Sequence, residues 1–391
     1  MRAGRVARVI AGNGLVLLAL MAALNFLSSL ILDGQYWLER VFVRGDARVD
    51  LPNFEDKQLA ATIFAETRDL RTGYAPYVAW TRRELHGSTV NVDANGDRTH
   101  LPTTQQPVGH VRLFGGSTMW GTGVADDQTI PAIFNALNPS WHVHNHGQSS
   151  YVSRQELAAL ANLVSRGEPM DLVVFYDGYN DVRNLCRSDV TIPGHARQRK
   201  LARLVSPRSF ALDDVTASLV EVVRFAVESL NQTEYEPSRC LEDEGYGDQI
   251  TDQLVANWRM ARAVAHVAGA SFVGVLQPVA AIGSPNLSHL ADDAFSLDDY
   301  STAKKSELAR GIDHARVYPG IQRRIRDERE HRGWMVDFSD AFDSDEIFYI
   351  GPAHVSSNGN RRIAERLDAL VGDRLRALER ARLEARAVAS R

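Results

Sequence analysis

Three short stretches carry residue types that could do chemistry together. Gly115-Gly116-Ser117-Thr118 follows an apolar run, Gly178-Tyr179-Asn180-Asp181 follows another, and His354 stands late in the chain within Gly351-Pro352-Ala353-His354. A serine on a tight glycine turn can present its hydroxyl as a nucleophile, and a histidine can take its proton. A side-chain amide at a neighbouring strand end can donate to the oxyanion that such an attack creates. Each piece also has a plain reading: Gly-Gly-Ser as a loop or phosphate-binding turn, Asn180 as a turn former, His354 as one histidine among twelve. Asp181 reads as a brace for its loop. His142, His144 and His146 alternate along one stretch, but no cysteine or carboxylate cluster accompanies them, so neither a metal nor a cofactor is expected.

The elements that must position these residues follow from periodicity. Short apolar runs at 111–114, 141–145, 171–176, 271–276 and 334–338 read as strands. Helical patterning separates them at 129–137, 153–165 and 256–268, with a long helix from Asn360 onward. Near-continuous apolar strands alternating with helices predict a parallel sheet covered on both faces, with ligands beyond the carboxyl ends of the strands. Ser117 and Asn180 both fall at such ends. The pattern breaks at about 184–251, where a basic stretch at 197–203, a helical run at 213–230 and an acidic turn read as an insertion. Cys186 and Cys240 both lie in it, and they are either one bridge or two thiols. Upstream, residues 33–107 read as a juxtamembrane accessory region, with a helix near 56–68 and a type I′ hairpin signal at Asn95-Gly96.

At 391 residues, 44% hydrophobic and with a net charge of −5, the chain can bury a large core and offers no basic surface for nucleic acid. Val9 to Leu32 holds no charged residue and is long enough for the roughly 20 helical residues that cross a bilayer. Arg2, Arg5 and Arg8 precede it and Asp33 follows. This predicts a cytoplasmic tail at 1–8, an uncleaved signal anchor at 9–32, and the remainder in the periplasm or outside the cell.

Taken together, Gly115-Gly116-Ser117-Thr118, Asn145-His146-Gly147-Gln148-Ser149-Ser150, Gly178-Tyr179-Asn180-Asp181 and His354 with Gly359-Asn360 resemble the SGNH or GDSL-type hydrolases over about 108–375. The hydrolase-like domain is then 108–391. The resemblance implies a flavodoxin-like three-layer α/β/α fold with a parallel sheet, Ser117 as nucleophile and His354 as base. It also implies an oxyanion hole from the Ser117 backbone N–H, the Asn180 side chain and a second-block backbone N–H. That block's glycine aligns with Ser150, with Gly147 as the alternative. The family's aspartate, three residues before the histidine, is here Gly351, so Asp343, Asp345, another carboxylate or a backbone carbonyl would have to orient the imidazole, or a Ser–His dyad works alone. The implied activity is removal of small O-acyl groups such as acetyl from extracytoplasmic carbohydrate. An O-acetyltransferase on envelope glycans, a lysophospholipase and a non-catalytic glycan-binding assembly protein are the alternatives.

Overall fold

Five parallel strands set the architecture. The computed structural model describes residues 12–28, 30, 45–100, 104, 106–205, 238–290, 303–329 and 333–389. Of these, 46–198 and 238–389 make one compact unit, whereas the residues before it and 199–205 belong to a second. In the compact unit the long strands are β5 (Gly109–Gly115), β6 (Trp141–Gly147), β7 (Leu172–Asp177), β8 (Ser271–Leu276) and β9 (Met335–Asp337). They lie in the order β6-β5-β7-β8-β9, each pair parallel. Counted from β5 that is the flavodoxin-like order 2-1-3-4-5, whose topological switch lies between β5 and β7.

Residue alternation explains why the sheet is covered on both sides. In β7 all six residues are buried: Val173 and Phe175 join one apolar cluster, Leu172, Val174 and Tyr176 the other. The first cluster packs against α4 (Ser153–Ser165), α5 (Tyr179–Leu185), α8 (Tyr246–Val267) and α9 (Ala303–Arg329); the second packs against α3 (Ile130–Leu137) and α10 (Ser357–Ala389). Each fully buried Val or Phe contributes about 1.5–3 kcal/mol, so neither face could be left to solvent.

Most predicted elements agree with the structure to within a few residues. The main exception is α8, which begins at Tyr246 rather than 256. Its first turns bury Tyr246, Ile250 and Leu254, so they belong to the core rather than to the insertion. The hairpin signal also resolves differently. Val92 bridges Arg98 across a five-residue loop, because the Asp93 carboxylate accepts from the N–H groups of Asn95 and Asp97, both at 2.9 Å. A tight two-residue turn leaves no room for that Asx turn.

The accessory region is tied in by α1 (Lys57–Asp69): Glu66 accepts the backbone N–H groups of Ser88, Thr89 and Val90 at 2.7–2.9 Å. Residues 12–28 are helical, with Leu15, Leu20, Leu24 and Phe26 exposed. No described helix is long and apolar enough to cross a membrane. The ends of the expected anchor, 9–11 and 31–32, lie outside the described residues, as does the helical run expected at 213–230. In the insertion, α6 (Gln198–Val205) carries the basic stretch, and α7 (Arg239–Glu242) carries Cys240.

Cys186, which caps α5, is joined to Cys240 by a disulfide, and both are fully buried. The bridge spans 54 positions, and a cross-link of that length removes loop entropy worth up to about 4 kcal/mol from the unfolded chain. Replacing both cysteines with serine is therefore expected to lower the unfolding free energy by an amount of that order, read as a fall in the urea midpoint. An unchanged midpoint would show that the bridge does not constrain the unfolded state.

Candidate active site

The switch between β5 and β7 places the serine and the asparagine side by side. Ser117 opens the four-residue helix α2 (Ser117–Trp120) directly after β5, and its N–H is one of the donors a helix leaves unpaired at its start. Asn180 is the second residue of α5, whose N-cap Gly178 follows β7. Between them lies Gly116: a Cβ built there would sit 2.2 Å from Asn180 Nδ2, so only glycine lets the amide reach this position. Gly178 turns the second loop at φ 124, where a Cβ would meet Leu276 and Tyr318.

His354 arrives from the far end of the chain. Its Nε2 lies 2.7 Å from Ser117 Oγ, across a separation of 237 residues. Two further bonds fix that pairing. Thr118 Oγ1 donates to Ala353 O at 3.1 Å, and the His354 carbonyl accepts from Ile350 N at 2.9 Å. Arg98 holds the nucleophile turn from the other side. Its buried guanidinium donates to the carbonyls of Trp120, Gly121 and Val124, pairs with Asp126 at 2.8 Å, and lies over the Trp120 ring. No local pattern around Arg98 announces this role, because every partner is supplied by tertiary packing.

The second block resolves between its two candidates. Gly147 N–H is committed to Asn145 Oδ1 at 3.0 Å, and a Cβ built on Gly147 would lie 2.3 Å from Trp120 N. Ser150 has φ 62, the left-handed conformation in which glycine is free of strain, which accounts for a glycine being implied at this position. Its carbonyl accepts from Asn184 Nδ2 at 3.3 Å, which fastens this loop to α5. Asp343 and Asp345 do not act as partners of His354. The Asp343 carboxylate accepts from Ser284 N at 2.6 Å, and Asp345 is held through its carbonyl by Asn286. A Cβ on Gly351 would lie 4.0 Å from His354 Nδ1, so a carboxylate at this position would be within reach of the imidazole.

Beneath the Asn180 loop lie three fully buried carboxyl groups that the sequence reading did not assemble. Asp181 accepts from Ser153 N at 3.1 Å and from Ser153 Oγ at 2.6 Å, confirming it as a brace. Asp177 accepts from Trp258 Nε1 at 2.6 Å. Glu156 is buried with neither carboxyl oxygen hydrogen-bonded, and burial, reinforced by the neighbouring Asp177 charge, pushes it well up, so it keeps its proton. Burial also raises Asp177 to about 8 and Asp181 to about 6, with mutual repulsion adding to the Asp177 shift. The two described cavities, about 380 and 370 Å³, are lined by neither Ser117 nor His354.

No model of a known protein family matches the chain, and no curated protein matches it. Several solved structures are similar to it. One is a member of the lipolytic G-D-S-L family from Veillonella parvula, at 12% identity, covering 66% of this chain and 94% of that one, with a TM-score of 0.35. Another is Est24, a carbohydrate acetylesterase from Sinorhizobium meliloti, at 13% identity, covering 67% and 99%, with a TM-score of 0.34. A GDSL-like lipase from Bacteroides thetaiotaomicron aligns at 13% identity over 71% and 93%, with a TM-score of 0.32. At these scores the functional reading rests on the site itself.

The carboxyl cluster sets a pH dependence of stability. The folded chain keeps protons that unfolded Asp and Glu release near pH 4, so the stabilisation is complete below about pH 4 and is lost as pH rises through about 6 to 8. Glu156→Gln keeps the shape of the side chain while removing one titrating group. Its urea midpoint is expected to fall less between pH 5 and pH 9 than that of the unaltered protein, and equal slopes would contradict the assignment.

Proposed function

We propose that this chain is a serine acyl-ester hydrolase of the SGNH type. The observation that carries the reading is the 2.7 Å contact between Ser117 Oγ and His354 Nε2 at the carboxyl edge of the sheet, beside the Asn180 amide. In this mechanism His354 Nε2 takes the Ser117 proton as Oγ attacks the ester carbonyl. The oxyanion is met by the N–H groups of Ser117 and Ser150 and by Asn180 Nδ2. His354 returns the proton to the departing alcohol, and water, activated by the same imidazole, releases the acyl group. The substrate class is a small O-acyl ester, with O-acetylated carbohydrate favoured by the resemblance and consistent with the acetylesterase among the similar structures.

Ester turnover of p-nitrophenyl acetate should vanish in Ser117→Ala and His354→Ala, and a fluorophosphonate should label Ser117. Gly116→Ala, which drives a methyl group into the Asn180 amide, should cost about 10²–10³ in kcat, the loss typical of one oxyanion donor. Asp343→Asn and Asp345→Asn should stay within a few-fold, whereas loss of a true triad acid costs about 10⁴. Turnover that survives Ser117→Ala would sink the covalent mechanism.

We further propose that 9–32 anchors the chain with its catalytic region outside the cytoplasm, supported by the uncharged apolar run behind three arginines. Protease added to cells opened only at the outer surface should then cut the catalytic region. Complete protection would reverse the topology.

A further inference from the structure

We propose that His110, His142 and His144 form a binding site for a borderline divalent transition metal, with Zn²⁺ as the representative ion. The residues come from two adjacent strands. His110 of β5 stands in register opposite His142 of β6, and His144 follows two positions on, so strand alternation places all three rings on one face. One ring nitrogen from each lies within 4.8 Å of the other two, and His110 Nδ1 is 3.1 Å from His144 Nε2. Tetrahedral Zn²⁺ with Zn–N of about 2.0–2.1 Å holds its nitrogens about 3.3–3.4 Å apart, so small rotations of the rings would complete three ligands, with solvent as the fourth.

The surroundings favour a metal over a packed core. The same sheet face carries apolar residues further along, but α4 ends at Ser165 and leaves this corner open to a cavity of about 380 Å³ lined in part by His142 and His144. All three histidines are half-buried. The charges around them are already paired. Arg112 donates to Pro169 O and Glu168, and Arg382 is bound to Asp171, whose carboxylate also accepts from His110 N. His146 is not a ligand, because Asp97 holds its Nδ1 at 2.8 Å and Arg112 its Nε2 at 3.0 Å. An all-imidazole set selects Zn²⁺, Co²⁺, Ni²⁺ or Cu²⁺ and disfavours Mg²⁺ and Ca²⁺. The site sits at the amino-terminal ends of β5 and β6, the opposite end of the sheet from Ser117, so its role is to clamp the edge strand rather than to serve the reaction.

The test is calorimetric titration of Zn²⁺ into the full-length, untagged, chelator-stripped chain in detergent. One Zn²⁺ per chain should bind saturably and raise the thermal midpoint, while Mg²⁺ gives neither effect. His110→Ala, His142→Ala and His144→Ala should each weaken binding by at least ~100-fold, beyond the 10–100-fold typical of losing an outer partner of a ligand. His266→Ala, on an exposed helix surface, should bind as the parent does. Should the alanine variants fold poorly, Co²⁺ bound to the unaltered chain decides independently, since intense visible absorption marks tetrahedral coordination. Absence of saturable binding, affinity indifferent to the three substitutions, or a purely octahedral Co²⁺ spectrum would overturn the proposal.

Discussion

The contact between Ser117 and His354 joins residues 237 positions apart at 2.7 Å, and much of the surrounding structure serves to hold it. A hydrogen bond of this kind contributes only about 1 kcal/mol by itself, so it cannot organise its own neighbourhood. The organisation comes from the sheet. Residues on β5 and β7 diverge into helices on either side of the switch, and the loop after β9 brings the histidine back across the same edge. Arg98 then locks the nucleophile turn by binding the carbonyls that close it.

Holding Asn180 in place has a cost. Three carboxyl groups are buried beneath its loop, where each charge would lose its hydration, and the chain responds by keeping protons on them and bonding the remainder to Ser153 and Trp258. The result is a rigid platform under the amide whose stability depends on pH. In the proposed mechanism one such oxyanion donor accounts for about 3–4 kcal/mol of barrier.

The metal proposal and the catalytic reading draw on opposite ends of the same two-strand unit. The alternation of His142 and His144 is plain in the sequence, but the ligand that completes the set, His110, lies on the preceding strand. Pairing register, which no single-strand pattern contains, decides whether those imidazoles meet. The same limit applied to Glu156, Asp177 and Asp181, which come from two helices and a strand.

Read alone, the sequence determined the layered α/β class and nearly every strand, and singled out Ser117, Asn180 and His354 as candidates, because apolar periodicity and glycine-bounded turns are local properties of the chain. It could not separate Ser150 from Gly147, which differ only in where a backbone N–H is spent, nor find Arg98, whose partners are carbonyls up to 26 positions away. It misplaced the start of α8, since burial of Tyr246 and Ile250 depends on what packs above them. It offered Asp343 and Asp345 for a role that tertiary placement gives to neither. Residue type and spacing reveal which groups can react. The distances between groups far apart in the chain, and the desolvation each group suffers, are fixed only when the layers close.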